Sequence, residues 1–456
     1  MLPGVARATG LLMVGVAVMM AGSGLVGVLM GSIAGALQMA ASAGIVGALA
    51  GLGLYLGRGS SLDQLDRRQA LLVVVVAWVA LSVVGGLPFV IGADFTIADA
   101  IFESTSGFTT TGATILPEIR ERLNPALHFW RMLSHWLGGM GIVVLFVAIF
   151  PALGVGGKHL YRGEVPGPRS KGLSPRIRET SSVLWKVYVS FTLLEIALLI
   201  PAIRQALPKA EWDVVLFEAV VHALSTLGTG GFSTFNGSIA ELDSPWVDLI
   251  ILVFMVIAGM NFGLFYEAIK RGVSVFWRHT ETKVYLGLFA VVTLLCAAVI
   301  LPQVDGPGEA LRYASFQVAA IMSTTGFGTH DFETWPAFTR VLLLLLYFTG
   351  GSSGSTAGGM KLVRVIILFK AAVVELKRSF RPHLVEPVRV DHSSIGNQAL
   401  VGVLAFMGLY VSTVFVGACW VALVEGSDGT TAFMASLACV ANVGPGFGLV
   451  GPTDNF

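Results

Sequence analysis

The 456 residues are 55% apolar and only 12% charged, with a mean hydropathy of +0.78, which excludes a water-soluble globular domain and places the chain in a bilayer. The formal net charge of +1 gives no reason to expect an acidic partner, and nucleic acid is not expected as one. The three cysteines, Cys296, Cys419 and Cys439, all fall in apolar segments, so they read as small buried hydrophobes with neither a disulfide framework nor metal spacing.

A spanning helix needs about 20 predominantly apolar residues. In chain order such runs lie near 11–31, 35–57, 69–92, 126–151, 183–203, 246–269, 284–301, 337–375 and 396–424, which predicts an all-α polytopic membrane protein. The first run is too long for a signal-peptide core and a second follows almost at once, so residues 1–68 read as a Gly-rich two-helix preface with a packing role.

From residue 69 onward one unit is written four times. Its turns read STSGFTTTGAT at Ser104 to Thr114, STLGTGGFST at Ser225 to Thr234, STTGFGTHDF at Ser323 to Phe332, and ANVGPGFG at Ala441 to Gly448. Aligned on Gly112, Gly231, Gly326 and Gly444, they fall 119, 95 and 118 residues apart. The apolar segment before each turn is short, at Ile97 to Phe108, Asp213 to Thr226, Glu309 to Met322 and Thr430 to Ala441. Such segments are more often re-entrant than spanning. Non-helical backbone survives at membrane depth only where it is buried in protein or lines a wet cavity. The reading is four pseudo-symmetric units of helix, pore helix, filter loop and helix around one pore, over 69–182, 183–283, 284–393 and 394–456.

Basic loops around Arg58, Arg67 and Arg68, from Lys158 to Arg178, from Lys270 to Lys283 and from Lys377 to Arg389 alternate with segments holding Asp94, Asp99, Asp243, Asp305, Asp331 and Asp428. The basic set is therefore expected in the cytoplasm and the four turns open outward. The loop Gly154 to Arg178, with LYRGEVPGPRS, either sets topology alone or docks a partner.

A dehydrated cation needs oxygens in place of its water shell, and backbone carbonyls supply them without burying carboxylates. Carbonyls converge on an axis only if some residues take φ > 0 with no side chain in the way. Four uncharged stretches fit that need: Thr110, Thr111, Gly112 and Ala113; Gly230, Gly231 and Phe232; Thr324, Thr325, Gly326 and Phe327; and Asn442, Val443, Gly444 and Pro445. Each half-helix points its negative C-terminal end at the site, which favours a cation. Nine residues before the key glycine stand Glu103, His222 and Gln317, with Ala435 in the fourth unit. The first three read as hydrogen-bonding braces, and attraction of ions by Glu103 is the other reading.

The run FTGGSSGSTAGGMK, Phe348 to Lys361, interrupts the inner span of the third unit. Each Gly in a helix interior costs about 1 kcal/mol relative to Ala, so the span is expected to break. A P-loop would end in Gly-Lys-Ser/Thr after a strand, whereas here Met360 separates Gly359 from Lys361. The segment Gly350, Gly351, Ser352, Ser353, Gly354, Ser355, Thr356, Ala357, Gly358 and Gly359 reads as a gating loop under the filter, with Lys361 and Arg364 near its cytoplasmic end.

At these residues the chain resembles the Trk/Ktr/HKT superfamily of potassium transporters, and within it the TrkH family. The carrying motifs are Arg131 to Gly157, LYRGEVPGP, Phe254 to Ala268 and Thr349 to Arg364. The resemblance implies potassium uptake across a bacterial cytoplasmic membrane, with potassium bound at the filter carbonyls and no organic cofactor. It also implies a homodimer with one pore per protomer and a cytoplasmic nucleotide-binding regulator of the TrkA type. In the family a serine at the first filter glycine goes with sodium permeation, so Gly112 favours potassium. A further inner helix with an arginine facing the gating loop is expected after the fourth turn, and the sequence stops at Phe456. The alternatives are the ion-binding subunit of a potassium-pumping ATPase and a non-transporting membrane assembly subunit. No HExxH and no nucleophile with a matched base is written in the spans, so no enzyme is expected.

Overall fold

The computed structural model describes residues 2–60, 67–141, 177–391 and 393–451. The second half of the 126–151 run, the loop Gly154 to Arg178 with LYRGEVPGP, and the last residues to Phe456 lie outside the described residues.

Helices α1 (Leu2–Leu29) and α2 (Ile33–Leu56) form an antiparallel hairpin. A Cβ built on Gly53 would lie 3.1 Å from the Gly10 Cα, so the backbones approach where neither residue has a side chain. The hairpin is tied to the rest by Gln38, whose Oε1 accepts from Asn124 Nδ2 at 2.9 Å. Asn124 in turn caps the helix that begins at Pro125, accepting from the amides of Ala126 and Leu127 at 3.1 and 3.2 Å, an arrangement worth about 1 kcal/mol.

The chain then runs α3 (Arg67–Val84), α4 (Leu87–Gly92), α5 (Ile97–Thr109), α6 (Ile119–Arg122), α7 (Pro125–Gly139), α8 (Ile177–Ala206) and α9 (Trp212–Leu227). It continues through α10 (Pro245–Ala258), α11 (Phe262–Arg271), α12 (Thr280–Ile300), α13 (Pro307–Met322), α14 (Ala337–Leu346), α15 (Leu362–Phe380), α16 (Asn397–Glu425) and α17 (Gly429–Ala441). A two-stranded antiparallel hairpin, β1 (Arg389–Val390) and β2 (Ser393–Ser394), precedes α16. Among the described residues, six helices are long and apolar enough to cross a membrane, or seven if one bent pair counts as a span.

The short helices read from the sequence are α5, α9, α13 and α17, each ending within a residue of its expected C-terminus. Two start with side-chain caps. Thr96 and Asp99 form a reciprocal capping box on α5, and Asp428 accepts from the amides of Thr430 and Thr431 on α17.

The apolar run 246–269 is not one straight span. It breaks at Gly259 to Asn261 and turns by 91° into α11, with Asn261 capping the new helix through the Gly263 amide at 2.8 Å. The run 337–375 breaks as the glycine content demanded, between α14 and α15.

Cys296 is buried, but Cys419 and Cys439 are exposed on the outer surface, which corrects the expectation for two of the three. In a bilayer the outward face of a helix is as apolar as its core face. On α16 Val416, Trp420, Leu423 and Val424 all point outward.

Candidate functional site

The site is built from the four turns that follow α5, α9, α13 and α17. In each turn the key glycine and the residue two before it have φ > 0. The key glycines take φ of 79° at Gly112, 77° at Gly231, 79° at Gly326 and 92° at Gly444. The residue two before each glycine is also left-handed, with φ of 59° at Thr110, 52° at Thr229, 57° at Thr324 and 61° at Asn442. Alternating the handedness of successive residues points successive carbonyls to the same side of the strand. Thr229 was not among the residues read from the sequence, where the second stretch began at Gly230.

The turns meet one another in order. A Cβ on Gly112 would overlap the carbonyl oxygen of Gly230, one on Gly231 that of Thr325, and one on Gly326 that of Val443. A Cβ on Gly444 would lie 2.6 Å from the carbonyl oxygen of Thr111, which closes the ring. In every case the oxygen belongs to the residue just before the next turn's glycine. Thr111 also donates to Asn442 Oδ1 at 2.8 Å, and Asn442 Nδ2 donates to the Thr110 carbonyl at 3.1 Å.

The polar residues on the short helices reach the far ends of these turns. Glu103 accepts from the Thr114 hydroxyl at 3.0 and 3.1 Å, and His222 Nε2 lies 3.0 Å from Ser233 Oγ. Gln317 Nε2 donates to the His330 carbonyl at 3.2 Å. Each ties a helix to the strand leaving its turn, as braces would. Ala435 has no such group, and there the Gly446 amide donates to the Val450 carbonyl at 2.5 Å.

Three more residues complete this layer; Glu218 and Arg131 were given no role from the sequence, whereas His135 read as helix packing or filter support. Glu218 is buried and accepts from Thr234 at 2.5 Å. Arg131 is buried against Glu103, and His135 stacks on Phe232 with ring centroids 4.1 Å apart. For Arg131 the sign available was a charged residue inside the apolar run 126–151, where ionisable groups are costly unless paired.

The Gly350 to Gly359 loop lies directly against the turns. The Gly358 amide donates to Thr324 Oγ1 at 2.7 Å, the Gly358 Cα packs on the Asn442 side chain, and Gly359 packs on the Ala441 carbonyl. The loop's other side is held by Gly259 and Glu281. The Ser352 amide donates to the Gly259 carbonyl at 2.8 Å, and Glu281 Oε1 accepts from the amides of Ser353 and Val363 at 2.8 and 3.1 Å. Thr356 Oγ1 donates to the Ala258 carbonyl at 3.1 Å. Lys361, at the end of the loop, turns back into it. It is buried, and its ammonium folds back onto the carbonyls of Ala357 and Ser355.

Below the loop the described residues line a cavity of about 1360 Å³, bordered by Thr110, Gly138, Asn261, Glu281, Gly358 and Arg364 among others. The β1–β2 hairpin stands at its rim. Asp391 accepts from the Thr280 amide at 2.8 Å and lies 4.0 Å from His279. Burial alone would push the Asp391 carboxyl up, but the two Thr280 hydrogen bonds, His279 and Lys370 outweigh it and hold it below its ordinary value.

Comparison with known proteins places this arrangement. Residues 36–454 match the TrkH family, described as a cation transport protein. The chain is 39% identical over 401 residues to the Trk system potassium uptake protein TrkH of Salmonella typhimurium, covering 86% of this chain and 80% of that one. It is 33% identical over 394 residues to the Trk system potassium uptake protein TrkG of Escherichia coli, covering 84% and 78%. The crystal structure of the potassium transporter TrkH from Vibrio parahaemolyticus superposes with a TM-score of 0.84 at 32% identity, over 98% of this chain and 91% of that one. With the family matched from the second helix of the preface to the last turn, the chain belongs to the TrkH family of cation transport proteins.

Proposed function

We propose that this polytopic membrane protein takes up potassium ions, passing them through the ring formed by the turns at Thr110 to Ala113, Thr229 to Phe232, Thr324 to Phe327 and Asn442 to Pro445. The observation that carries this reading is the closure of the ring. Four glycines with positive φ each abut the carbonyl of the residue before the next glycine. Backbone oxygens set around one axis replace a monovalent cation's water shell, and the C-terminal ends of α5, α9, α13 and α17 add negative partial charge. The names of the relatives, all Trk potassium uptake proteins, agree with potassium as the substrate.

Gly350 to Gly359 is the gate in this reading. It packs on Thr324 and Asn442 at the inner side of the ring and would have to leave for an ion to pass into the cavity below. The membrane potential contributes about 2.3 kcal/mol per charge per 100 mV to inward movement. The protein would act in the bacterial cytoplasmic membrane as a homodimer, one pore per protomer, with a nucleotide-binding regulatory subunit of the TrkA type on its cytoplasmic face.

Growth of a strain lacking its own potassium systems tests the reading. The full-length protein should restore growth in low potassium, and Gly112→Ser should admit sodium. Good expression with no movement of any monovalent cation, with or without the regulatory subunit, would leave the ring a scaffold and sink the proposal.

A further inference from the structure

One buried cation stands behind the ring and contributes no carbonyl to it. Arg131, on α7, is 1% exposed. Its Nε donates to Glu103 Oε1 at 2.5 Å, its Nη1 donates to the Ser233 carbonyl at 2.9 Å, and its guanidinium lies 3.6 Å from the centre of the Phe232 ring. Glu103 also accepts from Thr114. Thr114 is two residues after Gly112, Ser233 is two after Gly231, and Phe232 follows Gly231 directly. A single guanidinium and its carboxylate therefore join the outgoing strands of the first and second turns.

The second and third units do not repeat this join with an arginine. Counted from the key glycine, the position of Arg131 is occupied by Ile250 in the second unit and Leu345 in the third. Phe232 is held on its other side by the His135 ring, so it has little freedom to move unless the guanidinium moves. The planar fork of Arg loses little entropy per hydrogen bond formed and fixes directions as well as distance, which a lysine ammonium does not. A carbonyl ring that prefers potassium to the smaller sodium ion must resist contraction, through the placement or the number of its oxygens.

We propose that Arg131, acting with Glu103, is a specificity-determining positioning residue of the filter: it fixes the separation of the first two turns and so keeps the ring from closing down on sodium. The proposal rests on the carbonyl-filter reading. It reaches beyond that reading by assigning selectivity to a side chain that never touches the ion.

The test is uptake of potassium, rubidium and sodium into proteoliposomes by the full-length protein and three variants. These are Arg131→Lys, Thr114→Val, and the double variant Glu103→Gln with Arg131→Gln, which removes both charges together and leaves neither buried alone. Arg131→Lys and the double variant should raise the sodium-to-potassium uptake ratio by about fivefold or more. Thr114→Val should shift it in the same direction by less, and it decides the matter if the Arg131 variants fail to fold. Folded variants that lose potassium uptake with the ion ratio unchanged would make Arg131 merely structural and overturn the proposal. A wild-type protein that carries no potassium at all would overturn the filter reading itself, which is a distinguishable result.

Discussion

The left-handed residue two places before each glycine carries a cost that the glycine does not. An L-residue in that conformation loses about 1–2 kcal/mol, and three of the four are β-branched threonines. They persist because neighbours fix them. Thr110 Oγ1 accepts from Asn442 Nδ2 at 3.2 Å, Thr229 donates to the Gly228 carbonyl at 2.7 Å, and Thr324 accepts from Gly358. The glycines themselves differ in how much room they leave. A Cβ at Gly231 or Gly326 falls on the next turn's carbonyl oxygen, whereas at Gly444 it stands 2.6 Å away. Gly231→Ala and Gly326→Ala should therefore lower potassium uptake at least about tenfold more than Gly444→Ala does, measured at matched expression. Equal losses at all three would show that crowding at the carbonyl is not what matters. The key glycines were legible because four similar strings align on them. Thr229 was missed because the paired Gly230 and Gly231 drew the boundary one residue late, although Thr110 and Thr324 mark the same position.

At the scale of the element, the loop between α14 and α15 is held by a group that its own sequence does not contain. Glu281 opens α12 and receives the Ser353 and Val363 amides. Hydrogen bonds to a charged group contribute about 1.5–3 kcal/mol each. Glu281→Ala should free the loop and raise basal rubidium flux about tenfold or more, and deletion of Gly350 to Gly359 should raise it as well. Unchanged or lower flux in folded protein would count against the gate. Glycine and serine content made the loop legible, but a tether 72 residues away in sequence leaves no local mark. The 91° bend at Gly259 was missed because the apolar run is unbroken. Its signal was a glycine followed by an Asn cap. The rim hairpin gives a pH prediction. The Asp391 carboxyl is held below its ordinary value, so its stabilising grip on α12 is complete above about pH 3.9, the unfolded value. The grip is lost as pH falls through the lower folded value. Hydrogen exchange at the Thr280 amide, corrected for its intrinsic rate, should show constant protection from about pH 5 to 8 and faster opening in Asp391→Ala. Protection that Asp391→Ala leaves intact would contradict the cap.

Across the whole molecule, two side-chain contacts mark its two ends. His279 to Asp391 joins the segment before α12 to the hairpin after α15, while Arg312 to Asp243, at 3.2 Å, joins the start of α13 to the turn before α10. Between them stands α12, whose 21 residues extend about 30 Å, the thickness of a bilayer core. In a protein cleared of its native cysteines, Ser379→Cys should react with an impermeant maleimide from the cytoplasmic side alone, and Asp305→Cys from the outside alone. Labelling of both from one side would refute the orientation. Charge alternation along the sequence is the ground on which this orientation rests. What it could not convey was which apolar faces meet lipid, because outward and inward faces share one composition, and so Cys419 and Cys439 were read as buried.

The ring of turns has a direction, since a side chain added at each key glycine would first meet the carbonyl of the next turn. Genetic repair should follow the same direction. Second-site suppressors of a change at Gly112 belong around Gly230 in the second turn, those of Gly326 around Val443, and those of Gly444 back at Thr111. A lesion in one quarter of the molecule is thus inherited by the next, and the four quarters, though written in sequence as separate copies, are free to diverge only in step.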